Sequence, residues 1–97
     1  MIAEIQVSPR PSGDERGPLS HIDAALELIR ASGLNHEVHA LGTVVEGPPE
    51  EVWALLRKVH DIPLSSGADS TASIIKVHQH RDEAGPSIAD LVTRWRP

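Results

Sequence analysis

The sequence predicts an α+β domain with the order β-α-β-β-α-β. Three observations carry that expectation: a strand of period two near residue 2, two helical segments that each gather one apolar stripe, and a β-branched hairpin segment between them. From Ile2 to Val7, Ala3, Ile5 and Val7 alternate with Ile2, Glu4 and Gln6, the pattern of a strand with one greasier face. Pro9 to Pro18 reads as a connection, because Pro11, Gly13 and Gly17 interrupt any regular element. Ser20 and Asp23 form an acidic variant of a capping box, and Ile22, Ala25, Leu26 and Ile29 then align on one helical face. That helix ends at Gly33, where a left-handed cap places Leu34 to pack back. Asn35 to Ala40 and Thr43 to Glu46 are strands meeting around Leu41-Gly42. Pro49, Glu50 and Glu51 suit a helix start, Val52, Leu55, Leu56 and Val59 repeat the stripe, and Pro63 is expected to stop it. Ser65-Ser66-Gly67 then turns the chain into a strand from Thr71 to His80. After Gly85-Pro86, Ser87 and Asp90 offer a further cap for a short helix carrying Ile88, Leu91, Val92 and Trp95. Two right-handed crossovers place the two main helices on one face of a four-stranded antiparallel sheet, the ferredoxin-like sandwich, and leave the other face open.

With 97 residues, the chain is expected to form one domain, residues 1–97. A chain of that size buries only roughly 60 to 65% of its extended surface. Two tryptophans and no phenylalanine or tyrosine make the core aliphatic. A net charge of −5 speaks against a nucleic-acid binder, which needs a basic stripe. The absence of cysteine excludes disulfides, thiolate metal sites and cysteine nucleophiles. No signal-peptide pattern and no apolar run of membrane-spanning length occurs, so a cytoplasmic protein without membrane contact is expected. The open sheet face, lined by Ile2, Ile74 and some of Val44 and Val45, is the kind of apolar patch that monomers avoid. Pairing of two sheets through it, as a homodimer or homotetramer, is the expected assembly.

Leu41-Gly42-Thr43-Val44-Val45-Glu46-Gly47 sets a hydroxyl and a carboxylate on a short strand between two glycines. Together with the Ser32-Gly33-Leu34 cap, the first strand running into Ser8-Pro9, and the last strand closing on His78-Gln79-His80-Arg81-Asp82, it resembles the small thiamine-binding protein family. The resemblance runs from Met1 to about Asp82. His36 stands where relatives commonly carry tyrosine, Ala40 where they carry proline, and Leu41 where methionine is usual. The resemblance implies a non-catalytic protein that binds thiamine or its hydroxymethylpyrimidine precursor as ligand, with no other cofactor.

Such a ligand joins an aminopyrimidine to a cationic thiazolium, so it calls for a carboxylate, a hydroxyl, a flat apolar wall and negative potential. Glu46 and Thr43 are carried to those roles by the resemblance, with Ser8 and Gln6 as supporting polar contacts, His36 as a stacking or hydrogen-bonding group, and Arg81 with Asp82 as a closing pair that fix each other or a neighbouring subunit. Each has a plainer reading. Glu46 reaches solvent at a strand end, Thr43 is a good strand former whatever it binds, and Arg81 with Asp82 makes a solvated pair. Trp53 reads as a flanking packing residue, and His21 and His60 as helix surface positions. No metal site is expected, although His78 and His80 share one strand face and, with His36 or His39 approaching across the sheet, offer an alternative site of two or three imidazoles. A second function class is a cofactor-independent oxygenase or isomerase using one of these histidines for proton transfer, and a third is a regulatory subunit. Nucleotide-binding glycine motifs, a nucleophile elbow and a catalytic triad order are all missing, so no enzyme is expected.

Overall fold

The computed structural model describes residues 1–82 and 84–97. Its elements are β1 (Ile2–Arg10), α1 (Ser20–Ala31), β2 (Asn35–Val38), β3 (Thr43–Glu46), α2 (Pro49–Ser66), β4 (Ser70–His78) and α3 (Ile88–Val92), the last followed by a 3-10 turn at Thr93–Trp95. The strands form one antiparallel sheet in the order β2-β3-β1-β4. This is the expected ferredoxin-like arrangement, with α1 and α2 packed together over one face.

Register follows the alternation in β1. Ile5 lies opposite Thr43 on β3 and Ile75 on β4, while Glu4 lies opposite Val44 and Lys76. Directly paired residues point the same way. Ala3, Ile5 and Val45 therefore join Ala25, Ile29, Val52, Leu55, Leu56 and Val59 in one aliphatic core under the helices. Val45 belongs to that core and not to the open face. The sequence expectation named it with Val44, but neighbours on a strand point to opposite sides, and Val45 pairs with buried Ala3.

Several boundaries move for identifiable reasons. β1 continues past Val7 to Arg10; beyond Ile5 its only sheet partner is β4, an edge-like setting in which Pro9 is tolerated. β2 stops at Val38, where His39 N–H donates to Gly42 O at 2.9 Å and closes the hairpin. Ser20 does not cap α1. It is the first helical residue, and its hydroxyl turns instead to Asp14 in the preceding loop, 3.1 Å from Oδ1. The Ser87–Asp90 capping box does form, with reciprocal bonds of 3.0 and 2.9 Å. Gly33 takes the left-handed φ of 76°, and Leu34 packs against the core as its position suggested.

Pro63 does not end α2, which runs on to Ser66. It sits in the last turn, where its missing N–H forfeits one helical bond, and its ring is fully buried. The helix finishes at Gly67, and Ala68 N–H returns to Pro63 O at 2.9 Å. His21 is buried rather than on the helix surface, at 1% exposure. Arg16 pairs with Asp14 at 2.7 Å and donates to Ser66 O at 2.5 Å, drawing the loop over the ring. Nδ1 of His21 lies 2.9 Å from Ser66 Oγ. His60 is half-buried and ties α2 to β4 through Ser73 Oγ at 2.6 Å. Trp53, expected to flank the core, is 48% exposed.

α3 lies across the β2–β3 half of the otherwise open face. Glu46 Oε2 accepts the Ile88 N–H at 2.7 Å, Ile88 is buried, and Arg96 grips both oxygens of Glu37 at 2.5 and 2.7 Å. The β1–β4 half stays bare, with Ile74 71% exposed.

Candidate functional site

Two clefts meet at the β2–β3 hairpin. One, about 520 Å³, opens between the far end of β1, the start of α1 and the hairpin. Thr43 faces it from the helix side, Gln6 and Ser8 border it along the unpaired edge of β1 with their side chains on the opposite sheet face, and Leu19, Ile22, Leu26 and Val38 supply apolar walls. The other, about 380 Å³, lies on the opposite sheet face beneath α3, between Ile2, Glu4, Glu37 and Val44 on the strands and Ile88, Leu91, Val92 and Arg96 above. His39, Leu41 and Gly42 belong to both and form a shared rim. Both volumes fall in the range of small-molecule sites.

The fold thus gathers three of the six expected ligand residues at one end of the sheet but on two faces: Thr43 pairs with Ile5 on the helix side, whereas Gln6 and Ser8, opposite Ile74 and Ala72, share the open face with Glu4. Gln6 and Ser8 come from the stretch of β1 that β3 leaves unpaired, and Thr43 comes from the hairpin end of β3, 3% exposed. Glu46 points to the other face from Thr43. Its two oxygens are already engaged, Oε1 by Asn35 Nδ2 at 2.7 Å and Oε2 by the start of α3. His36 pairs with Val45 in register, so it stands on the helix side of β2, with Nδ1 2.9 Å from Leu34 O. Arg81 lies exposed beyond β4, at the sheet edge opposite β2. Asp82 accepts from His80 Nδ1 at 2.9 Å rather than from Arg81, and this bond, with the Ala84 N–H, holds its carboxyl below the usual aspartate value.

His78 and His80 border a small crevice with Met1, Ile2, Gly85 and Pro86, and His80 lies past the end of β4. Among the described residues no group of three or more histidine, aspartate or glutamate side chains is placed to hold a metal ion. Among them, too, no helix is long and apolar enough to cross a membrane.

Sequence reasoning missed Glu4 and Glu37, and weighed His39 only for a metal site. The signal was present in the alternation of β1, which sets Glu4 on the same face as Ile2. What it lacked was the hairpin folding back beside that face. Glu37 is held well below the ordinary glutamate value, chiefly by the Arg96 guanidinium and further by His39, 3.2 Å away. Its charge is thereby largely neutralised, whereas Glu4 faces the cleft with no such counter-ion.

Known proteins share this architecture. A protein of Bacillus cereus described as a domain of unknown function superposes with a TM-score of 0.80 at 25% identity, covering 98% of this chain and 90% of that one. A Thermotoga maritima protein provisionally assigned to thiamine biosynthesis or salvage gives a TM-score of 0.75 at 21% identity, covering 99% and 100% of the two chains. In sequence, a UPF0045 protein of Clostridium perfringens is 24% identical over 86 residues, 89% of this chain and 88% of its own. The model of the family described as thiamine-binding protein matches residues 3–96, so the chain belongs to that family.

Proposed function

We propose that the protein binds thiamine or its hydroxymethylpyrimidine precursor without transforming it, and that copies assemble through the half of the sheet face that α3 leaves bare. The observation that carries the reading is the cleft at the unpaired edge of β1, faced by Thr43 and bordered by Gln6 and Ser8, in a chain matched along residues 3–96 by a thiamine-binding family. An aminopyrimidine edge alternates acceptor nitrogens with an amino donor, and the Thr43 hydroxyl with the backbone N–H and C=O groups of β1 that β3 leaves unpaired can answer both. The apolar walls suit the ring faces. Glu46 can serve as a ligand carboxylate only if α3 gives up its first turn, and His36 and Arg81 stand outside the cleft, so the reading rests on the other three.

Titration calorimetry with thiamine and with hydroxymethylpyrimidine tests it, with mass spectrometry of the recovered ligand. Saturable binding with the ligand recovered unchanged is expected, together with a rise in melting temperature by linkage. Heat-silent titrations at millimolar ligand overturn the proposal, and a converted ligand overturns its non-catalytic part. For assembly, Ile74→Glu is expected to lower the sedimentation mass without unfolding the protomer. A wild-type protein that sediments as one chain removes that part.

A further inference from the structure

We infer that Glu4 reads the charge of the ligand: its carboxylate faces the thiazolium ring and makes the site prefer cationic thiamine to the neutral hydroxymethylpyrimidine. The inference rests on the binding reading above and deepens it. Thiamine has two compartments' worth of shape, two rings joined through one methylene and carrying different charge. The site has two compartments as well, meeting at Gly42. The backbone passes so close there that a Cβ at Gly42 would stand 3.3 Å from Ile5 O, 3.4 Å from Glu4 Cγ and 3.7 Å from Glu4 Cδ. A side chain at residue 42 would press on both, so glycine leaves the Glu4 side chain its room at the rim that the two clefts share.

Three carboxylates lie on this sheet face near α3, and two are spent. Glu46 is bonded by Asn35 and by the Ile88 N–H, and Glu37 by Arg96 and His39, whereas Glu4 makes no side-chain hydrogen bond or ion pair among the described residues. Lys76 is its cross-strand neighbour on β4, but the two are not within ion-pair distance. The charged groups facing Glu4 are therefore Lys76 on one side and the mutually paired Glu37 and Arg96, with His39, on the other. Around it Ile2, Val44, Leu91 and Val92 give the cleft an apolar wall, which strengthens attraction for a weakly hydrated ring cation beyond its value in open water. With the pyrimidine against Thr43 and the unpaired edge of β1, the thiazolium comes to the Glu4 side of the rim.

The test compares two ligands on two proteins. Wild-type protein is expected to bind thiamine at least about tenfold more tightly than hydroxymethylpyrimidine, and Glu4→Gln to lose most of that ratio while its affinity for the neutral pyrimidine stays within about twofold. Lys76→Gln removes the cross-strand positive charge, which does not line the cleft, and about twofold tighter thiamine binding is expected. Should Glu4→Gln fold poorly, the wild-type ratio still decides, because it must narrow as salt rises from about 0.05 to 0.5 M. A ratio unchanged by both the Glu4 substitution and salt overturns the inference while leaving ligand binding intact. A wild-type protein that binds neither compound removes the binding reading and this inference together.

Discussion

Under the helices, Ala3, Ile5 and Val45 lie at 1, 3 and 1% exposure in a cluster of aliphatic side chains, while on the reverse of the same strands Glu4 and Glu46 share the surface with Ile2 and Val44. One face is stabilised by dispersion and water exclusion, the other is organised by hydrogen bonds that a short strap donates to carboxylates. The difference teaches where this small domain stores stability and where it keeps chemistry. Substitutions on the two sides should therefore behave unlike one another. Leu56→Ala opens a cavity in the helix-covered core, where Leu56 is 2% exposed, and is expected to cost about 2 to 5 kcal/mol. Leu41→Ala, at a position 80% exposed on the hairpin rim, is expected to stay within about 0.5 kcal/mol. Chemical denaturation of both variants checks the contrast, and equal losses would erase the division.

A smaller effect is expected where the helix side carries polar groups. At the end of α2, Gly67 has φ of 120°, and a Cβ there would stand 3.3 Å from Cε1 of the buried His21. Gly67→Ala is thus strained in its backbone and crowded at its side chain, and a loss of about 1 to 3 kcal/mol is expected. The strain should surface in the loop above, since His21 N–H holds Ser12 O at 3.0 Å and Ser12 lines the first cleft. Faster amide exchange across residues 12–21 accompanies the loss if the loop and helix end form one unit; exchange confined to residues 66–68 separates them.

How much of this was legible in the sequence varies with the range of the interaction. Periodicity gave the order of strands and helices and the core stripes, because each depends on neighbours a few positions away. The same local pattern failed once and succeeded once: Ser20-x-x-Asp23 and Ser87-x-x-Asp90 both spell a cap, but only the second forms. Asp14 competes for the first serine through a loop whose path no local pattern reveals. Pro63 misled for a related reason, since burial of its ring is a tertiary fact. For the site, alternation alone separates Thr43 from Glu46 and joins Glu4 to Ile2, so those placements were available. The engagement of Glu46 by α3 was not, because residues 46 and 88 meet only when the chain's last segment crosses the sheet.

That strap supplies the smallest effect and the sharpest test of the comparison. Its fastenings are Glu37 with Arg96 at one end and the Ser87–Asp90 box at the other, and both carboxyls are held below their ordinary values, Glu37 chiefly by the Arg96 guanidinium and Asp90 chiefly by the Ser87 backbone N–H. A carboxyl depressed in the folded state contributes stability that is complete above its unfolded value, 4.5 for Glu37 and 3.8 for Asp90, and is lost as pH falls through the lower folded value. The aliphatic side chains of the helix-covered core do not titrate; on that side the depressed carboxyl is that of Asp14, held by Arg16 in the loop over His21. As pH falls below about 4, residues 88–95 should lose exchange protection and become open to an acid protease before the core amides of β1 and β3 do. Arg96→Gln should bring the same release at neutral pH while scarcely moving the global melting temperature, because the pair is solvent-exposed and such pairs contribute little. If strap and core lose protection together, α3 belongs to the cooperative core, and the two faces of the sheet answer to one energy and not to two.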